Sequence, residues 1–261
     1  MTTLHTALIT GASSGLGAEF ARQLAAEGHQ LVLVARRLDR LEALIAELQQ
    51  KYPQRMEAIS CDLAEVGATA ILMDEIASRD LSVDVLINNA GYSPREHFSK
   101  QTKFVMQAQL QVMVNALTEL CHAVLPHMTE KKWGRIINVA SIVAFAPPGR
   151  GTMYSAIKQY VFTFSQSLDM DVRRTGIRVT ALCPGLTHTE FHDAMDVSEK
   201  AKKIPEILWT DAPFVVRSGW KAVNAGQTVC TPGLLNNIGA FISKRLPERV
   251  RYALGTQNPL E

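Results

Sequence analysis

The chain has 261 residues, 47% of them hydrophobic and 20% charged, with a formal net charge of +2. That balance belongs to a soluble globular protein with a sizeable core, and it lacks the basic excess that a nucleic-acid partner selects. Cys61, Cys121, Cys183 and Cys230 are spread out and form no CxxC pair, which argues against a disulfide framework or zinc knuckle and for a reducing compartment.

The opening MTTLHTALITGASSG lacks the basic and long apolar regions of a signal peptide, and no window approaches ~18 uninterrupted apolar residues, so a cytoplasmic protein is expected. Strand-like runs rich in Val, Ile and Leu follow at 5–10, 30–35, 56–61, 83–88, 135–140, 177–183 and 227–231. They lack clean alternation, as strands buried on both faces do. Between them, helical spacing at 15–27 gathers Phe20, Leu24 and Ala25, and at 39–51 gathers Leu41, Leu44, Ile45 and Leu48. Longer helices are predicted near 100–130 and 152–175.

This rhythm predicts one α/β domain over residues 1–261, with a doubly wound parallel sheet covered on both faces. Residues 186–213 break the rhythm just after a strand end. Ligands of open α/β sheets bind at such ends, so this stretch is read as a substrate lid. Residues 232–261 are read as a C-terminal extension.

After the first strand comes TGASSGLG, Thr10 to Gly17, in which Gly11, Gly15 and Gly17 punctuate a strand-to-helix turn. Glycine permits a tight backbone path and close approach of a pyrophosphate, while the helix N-terminus offers free N–H groups. The spacing is not the common G-x-G-x-x-G, and alone it could be a plain connection. At the tip of the second strand stands VARRLDR. Arg36 and Arg37 suit the 2′-phosphate of NADP(H), where an acid would suit the ribose hydroxyl of NAD(H). The bland alternative is a solvated helix start with Asp39 as its cap.

YSAIK at 154–158 sets Tyr154 and Lys158 one helical turn apart. Taken alone such a pair is ordinary surface chemistry. As a catalytic pair it has a purpose. A free phenol titrates near ~10, and bringing it to ~7 requires about 4 kcal/mol. A charge about 4 Å away at an effective dielectric of ~20 supplies roughly that much. The pair is therefore expected to be a proton donor and the charge that lowers its pKa.

TGASSGLG at 10–17, NNAG at 88–91, Ser141, YSAIK at 154–158 and PG at 184–185 occur in order and together resemble the short-chain dehydrogenase/reductase family, from about residue 5 to about 231. The resemblance implies a Rossmann-type sheet of about seven strands with a helical substrate lid, a nicotinamide cofactor, and hydride transfer at a carbonyl or alcohol. It implies Tyr154 as acid/base, Lys158 as its partner, Ser141 on the substrate oxygen, and Asn115 in a proton relay. It sets Gly11, Ser13, Ser14, Gly15, Leu16 and Gly17 around the pyrophosphate and ribose, and Asp62 and Leu63 beside adenine. Asn89, Ala90 and Gly91 would line the cofactor cleft, Pro184, Gly185 and Thr187 would cover the nicotinamide side, and Tyr154 and Lys158 would reach the cofactor as well. A homodimer or homotetramer built on the helices near 100–130 and 152–175 is also implied.

Other signals carry less. His188 and His192 in HTEFH stand at i and i+4, but Glu190 is misplaced for H-E-x-x-H, so no metal is expected. Phe104, Val105, Leu110, Val114 and Leu117 are read as packing. In the tail at 233–254, Leu234, Ile238, Phe241 and Ile242 stand beside Lys244, Arg245, Arg249 and Arg251. Such a segment can lie on an anionic membrane. Pro247 interrupts the pattern, so the preferred reading is a helix that covers the substrate cleft or meets another subunit. The expected function is an NADP(H)-preferring carbonyl/alcohol oxidoreductase. The alternative is a dinucleotide-binding sensor or scaffold of the same fold with little turnover.

Overall fold

The computed structural model describes residues 4–94, 96–145, 152–189, 205–206 and 209–255. Its strands are β1 (Thr6–Thr10), β2 (Gln30–Ala35), β3 (Met56–Ser60), β4 (Val85–Asn88), β5 (Gly134–Val139), β6 (Ile177–Leu182), β7 (Leu186–Thr187), β8 (Trp209–Thr210) and β9 (Val229–Cys230). Seven of them form a parallel sheet in the order β3-β2-β1-β4-β5-β6-β9. This is the α/β Rossmann-type architecture that the rhythm of the sequence predicts, and each predicted strand lies within a few residues of an observed one.

The helices are α1 (Gly15–Ala26), α2 (Leu38–Gln49), α3 (Ala68–Ser78), α4 (Lys103–Leu110), α5 (Ala116–Glu130), α6 (Thr152–Val172), α7 (Ala212–Asn224), α8 (Leu234–Arg245) and α9 (Glu248–Gly255). Sequence reasoning did not single out α3 and α7. The predicted helix near 100–130 is interrupted by a wider turn at Gln111–Asn115 between α4 and α5.

Burial explains the layering. Strand β1 is buried along its whole length; Leu8 packs on one side with α3, α5 and α6, while Ala7 and Ile9 pack on the other with α1, α2 and α7. Phe20 and Leu24 of α1 and Leu41 of α2 are fully buried there, as their spacing predicted. Each such side chain contributes about 1.5–3 kcal/mol by leaving water. Helix α1 ends where Gly28 adopts φ +93°, the left-handed conformation that stops a helix at little steric cost.

Strand β1 pairs with both β2 and β4, so the chain winds outward in opposite directions from it. The carboxyl ends of β1 and β4 thus flank a switch point, where this architecture opens a crevice. Most of the predicted lid lies outside the described residues. Its base is closed by the parallel pairing of Leu186 with Trp209 and of Thr187 with Thr210. No helix among the described residues is long and apolar enough to cross a membrane.

Candidate active site

The crevice is floored by the turn between β1 and α1. Gly11 and Gly15 hold φ of +65° and +55°, a region that side chains disfavour. A Cβ at Gly17 would collide with the Gly11 carbonyl oxygen and lie 2.7 Å from Asn89 Nδ2, so only glycine fits. Asn89 Nδ2 donates to the carbonyls of Thr10 and Gly11 at 3.0 and 3.2 Å, and Thr10 Oγ1 accepts from the backbone of Asn89 and Ala90. The NNAG segment after β4 is thereby stitched to the glycine turn. Ser14 precedes α1 without capping it through its side chain, which leaves the helix N-terminus to an outside anion. Arg37, exposed beyond β2, reaches across and donates to Ser13 Oγ at 3.0 Å and Ser14 Oγ at 3.4 Å. Arg36 is exposed beside it. The cradle fits a dinucleotide: backbone donors for a pyrophosphate, and a guanidinium at its rim.

Ser141 stands where β5 ends, and its hydroxyl accepts from the Val143 backbone at 3.3 Å. The Ile142 N–H donates to the Pro184 carbonyl at 2.9 Å, tying this turn to the PG segment after β6. Tyr154 opens α6, hydrogen-bonded to Ser141. Lys158, one turn later and only 6% exposed, places Nζ 5.6 Å from the tyrosine ring centroid and donates to the Val139 carbonyl at 2.7 Å.

Burial pushes the Tyr154 phenol up to about 12, with the Ser141 hydrogen bond pulling the other way. Burial also pulls the Lys158 ammonium down to about 8, against the Cys183 sulfur. The expected lowering of the tyrosine is therefore not found. Lys158 is held over the ring and bonded to a backbone carbonyl, and removal of the phenol from water outweighs its charge. Near neutral pH Tyr154 is a protonated donor beside Ser141, and the lysine beneath it titrates close to the working range. Such a pair can hand a proton to a developing alkoxide.

The short chain dehydrogenase family profile matches residues 5–200. The chain belongs to that family. It is 38% identical over 186 residues to the sulfoacetaldehyde reductase of Chromohalobacter salexigens, covering 70% of this chain and 72% of that one. Among solved structures it is similar to a short-chain dehydrogenase from Sphingobium yanoikuyae in complex with NADPH, with a TM-score of 0.80 and 33% identity over 94% of this chain and 97% of that one. The bulky-bulky ketone specific alcohol dehydrogenase from Comamonas testosteroni shows a TM-score of 0.78 and 29% identity over 95% and 96% of the two chains. The protein is accordingly an NAD(P)-dependent oxidoreductase.

Within this family member the structure brings Ser141, Tyr154 and Lys158 together, with the glycine turn, Asn89, Ala90 and Gly91 at the same edge of the sheet. Asn115 is not brought there. It is exposed, and its Nδ2 donates to Gln111 Oε1 at 2.8 Å. Two positions earlier, Met113 is 2% exposed and faces inward, with its side chain against Gly91. Residues two apart on a helix point to opposite sides, which is why the motif's amide lands outside.

Thr187 is buried, and its hydroxyl donates to the Gly185 carbonyl at 3.1 Å and lies 3.3 Å from Thr210 Oγ1. Thr189, unremarked in the sequence, is the residue beside the phosphate turn, since a Cβ at Gly15 would lie 3.3 Å from its Cβ. Leu63 turns its side chain into the core, while Asp62 stays exposed and accepts from the Ala64 backbone. Leu16 packs against the α1 side of the core, Pro184 is buried, and Gly185 stands against Asn236.

Sequence reasoning also missed a buried polar chain. Asn88 Nδ2 donates to Asn138 Oδ1 at 2.9 Å, and Asn138 Nδ2 donates to Ser165 Oγ at 3.0 Å, joining β4, β5 and α6. This chain sets α6, and so Tyr154, against the strand that carries Ser141. Polar residues inside apolar runs were its signal. His188 stacks on Trp209 at 4.6 Å and bonds Glu206 at 3.0 Å. His192 lies outside the described residues, and among the described residues no cluster of three His, Cys, Asp or Glu could hold a metal.

Proposed function

We propose that this chain is a cytoplasmic, NADP(H)-preferring reductase that converts a carbonyl compound to its alcohol, with Tyr154 as the proton donor. The observation that carries the reading is Tyr154, hydrogen-bonded to Ser141 and held protonated by burial, at the same sheet edge as the dinucleotide cradle. The dinucleotide, when bound, supplies the hydride. Ser141 and Tyr154 hold the substrate oxygen as negative charge develops there, and Tyr154 transfers its phenolic proton to that oxygen. Lys158 stabilises the tyrosinate so formed, and its own pKa of about 8 lets it pass on a replacement proton.

Preference for NADP(H) is supported by Arg36 and by Arg37, which already reaches the serines of the phosphate turn. The similar Sphingobium enzyme holds NADPH. Cytoplasmic location is supported by four cysteines that form no disulfide. Assembly as a homodimer or homotetramer is supported by Phe104, Leu110, Tyr160 and Met170, all exposed on α4 and α6. The test is consumption of NADPH, followed by absorbance, across ketones, aldehydes and 3-oxoacyl thioesters, with NADH and Tyr154→Phe alongside. Turnover that prefers NADPH and needs Tyr154 supports the reading. Tight NADPH binding without turnover on any carbonyl favours a sensor or scaffold instead.

A further inference from the structure

Helix α8 turns one side to the protein and the other to solvent. On its inner side Ala240 is buried, Ser243 donates to the carbonyl of Phe145 in the turn that follows Ser141, and Asn236 stands against Gly185. On its outer side Leu234, Leu235, Ile238, Phe241 and Ile242 recur at the spacing of one helical stripe. All five are exposed, Leu234 at 76% and Phe241 at 58%. Pro247 interrupts the pattern as the sequence suggests, since one helix ends at Arg245 and another begins beyond the proline. Its carbonyl accepts from Val250 and Arg251, so it starts α9, which exposes Val250 and Tyr252 in turn.

Charge identifies what would cover this face. In the sequence of the two helices, Lys244, Arg245, Arg249 and Arg251 are set against a single acid, Glu248. The Arg245 guanidinium lies 3.5 Å from the Phe241 ring centroid, so cation and apolar stripe share one edge. Subunit interfaces deplete charge at their apolar centre. A helix lying in the headgroup layer does the reverse, pairing an apolar face with flanking cations. A groove of ≈ 450 Å³ between α7 and α8 extends the apolar stripe, setting Trp209 and Phe214 beside Leu234 and Leu235, with Arg217 and Asp211 both at its wall. It shares no lining residue with the small cavity beside Tyr154.

We propose that α8 and α9 form a docking surface for an anionic lipid bilayer. The stripe from Leu234 to Ile242 lies at the acyl boundary, and the exposed Arg245 and Arg249 lie at the level of the phosphates. Because the inner side of α8 touches the turns after Ser141 and Pro184, docking holds the substrate side of the site close to the membrane. The proposal does not rest on the reaction proposed above.

The test is flotation of the full chain with vesicles of phosphatidylcholine alone and of phosphatidylcholine mixed with phosphatidylglycerol, at low and high salt. Flotation with the mixed vesicles, weakened by salt and abolished in an Ile238→Glu/Phe241→Glu variant, is the expected result. Each basic residue near an anionic surface is worth about fivefold in partition, so Arg245→Gln/Arg249→Gln should lower binding at least ~20-fold. This second variant stands in if the first does not melt as a folded protein. Absence from the vesicle fraction overturns the proposal, as does flotation that both variants leave unchanged. An oligomer that Phe241→Glu splits, without vesicle binding, assigns the face to a subunit interface and overturns it too.

Discussion

The two ends of the one sheet use polar residues in opposite ways. At the amino ends of β1 and β4, Asp84 is buried and fully engaged. It accepts from the Thr6 backbone at 3.1 Å and from Lys131 at 2.6 Å, lies 3.1 Å from His127 Nε2, and faces His5 at 3.5 Å. Around it His5 stacks on Trp133 at 3.6 Å, Arg135 lies over Trp133, and His29 meets Trp220 edge-on while Trp220 donates to Glu27. At the carboxyl ends the polar groups line a crevice, the backbone bends through left-handed glycines, and a buried tyrosine and lysine carry strongly displaced pKa values. One end satisfies its carboxylate within the protein and confers stability, although among the described residues the Nδ1 atoms of His5 and His29 are buried there without a hydrogen bond. The other sets its groups along the crevice, where the proposed reaction would take place.

The largest effect expected on this contrast is on turnover. Tyr154→Phe should lower kcat about a thousandfold while leaving NADPH affinity and melting temperature nearly unchanged, read by kinetics and a thermal melt. At the opposite end the signature should invert. Asp84→Ala strands Lys131 and the Thr6 N–H and should cost about 3 kcal/mol, a fall in Tm of roughly 6–12 °C, with activity per folded molecule retained. If that variant instead loses activity while keeping its Tm, the division of labour between the ends is wrong.

Arg37→Ala should raise the KM for NADPH about tenfold and leave that for NADH nearly untouched, since only the former has a phosphate for the guanidinium. Equal effects on both cofactors would move the 2′-phosphate elsewhere.

The pH response separates the ends further. Burial lowers the His5 and His29 pKa values below the usual 6.5, so the unfolded chain binds their protons more readily. Their contribution is present above the unfolded value and is lost as the pH falls below about 6.5 toward the folded values. Asp84 is held below its usual range by Lys131, the Thr6 N–H and His127, which together outweigh its burial, so its contribution persists to far more acid pH and fades only as the carboxylate protonates. Tm measured against pH should therefore begin to fall in the histidine range, and less so in His29→Phe; a curve flat down to the carboxylate range would refute this. The smallest effect is expected from Asn115→Ala, within about twofold of wild type, because its amide faces solvent; a tenfold loss would return it to the proton relay.

Much of this architecture is legible in the sequence. Runs such as TALIT and QLVLVA are long enough, apolar enough and β-branched enough to be central strands, and Phe20 and Leu24 mark the buried stripe of α1. The glycine turn is legible because no other residue type satisfies that path. The outward turn of the Asn115 amide is not legible in the sequence. A motif gives a position along the chain, but the side to which it points depends on the local period, and one or two residues of offset reverse it.

The sequence by itself determined the order of strands and helices, the phosphate turn, and the Ser141, Tyr154 and Lys158 set, because these rest on local periodicity, backbone freedom and spacing within one turn. Tertiary structure alone decided the rest. It packed Met113 rather than Asn115 against Gly91, set Thr189 against Gly15, linked Asn88 to Ser165 through Asn138, and raised the tyrosine pKa by burial. These are contacts between segments distant in the chain, and their energies depend on the solvent excluded when the segments meet.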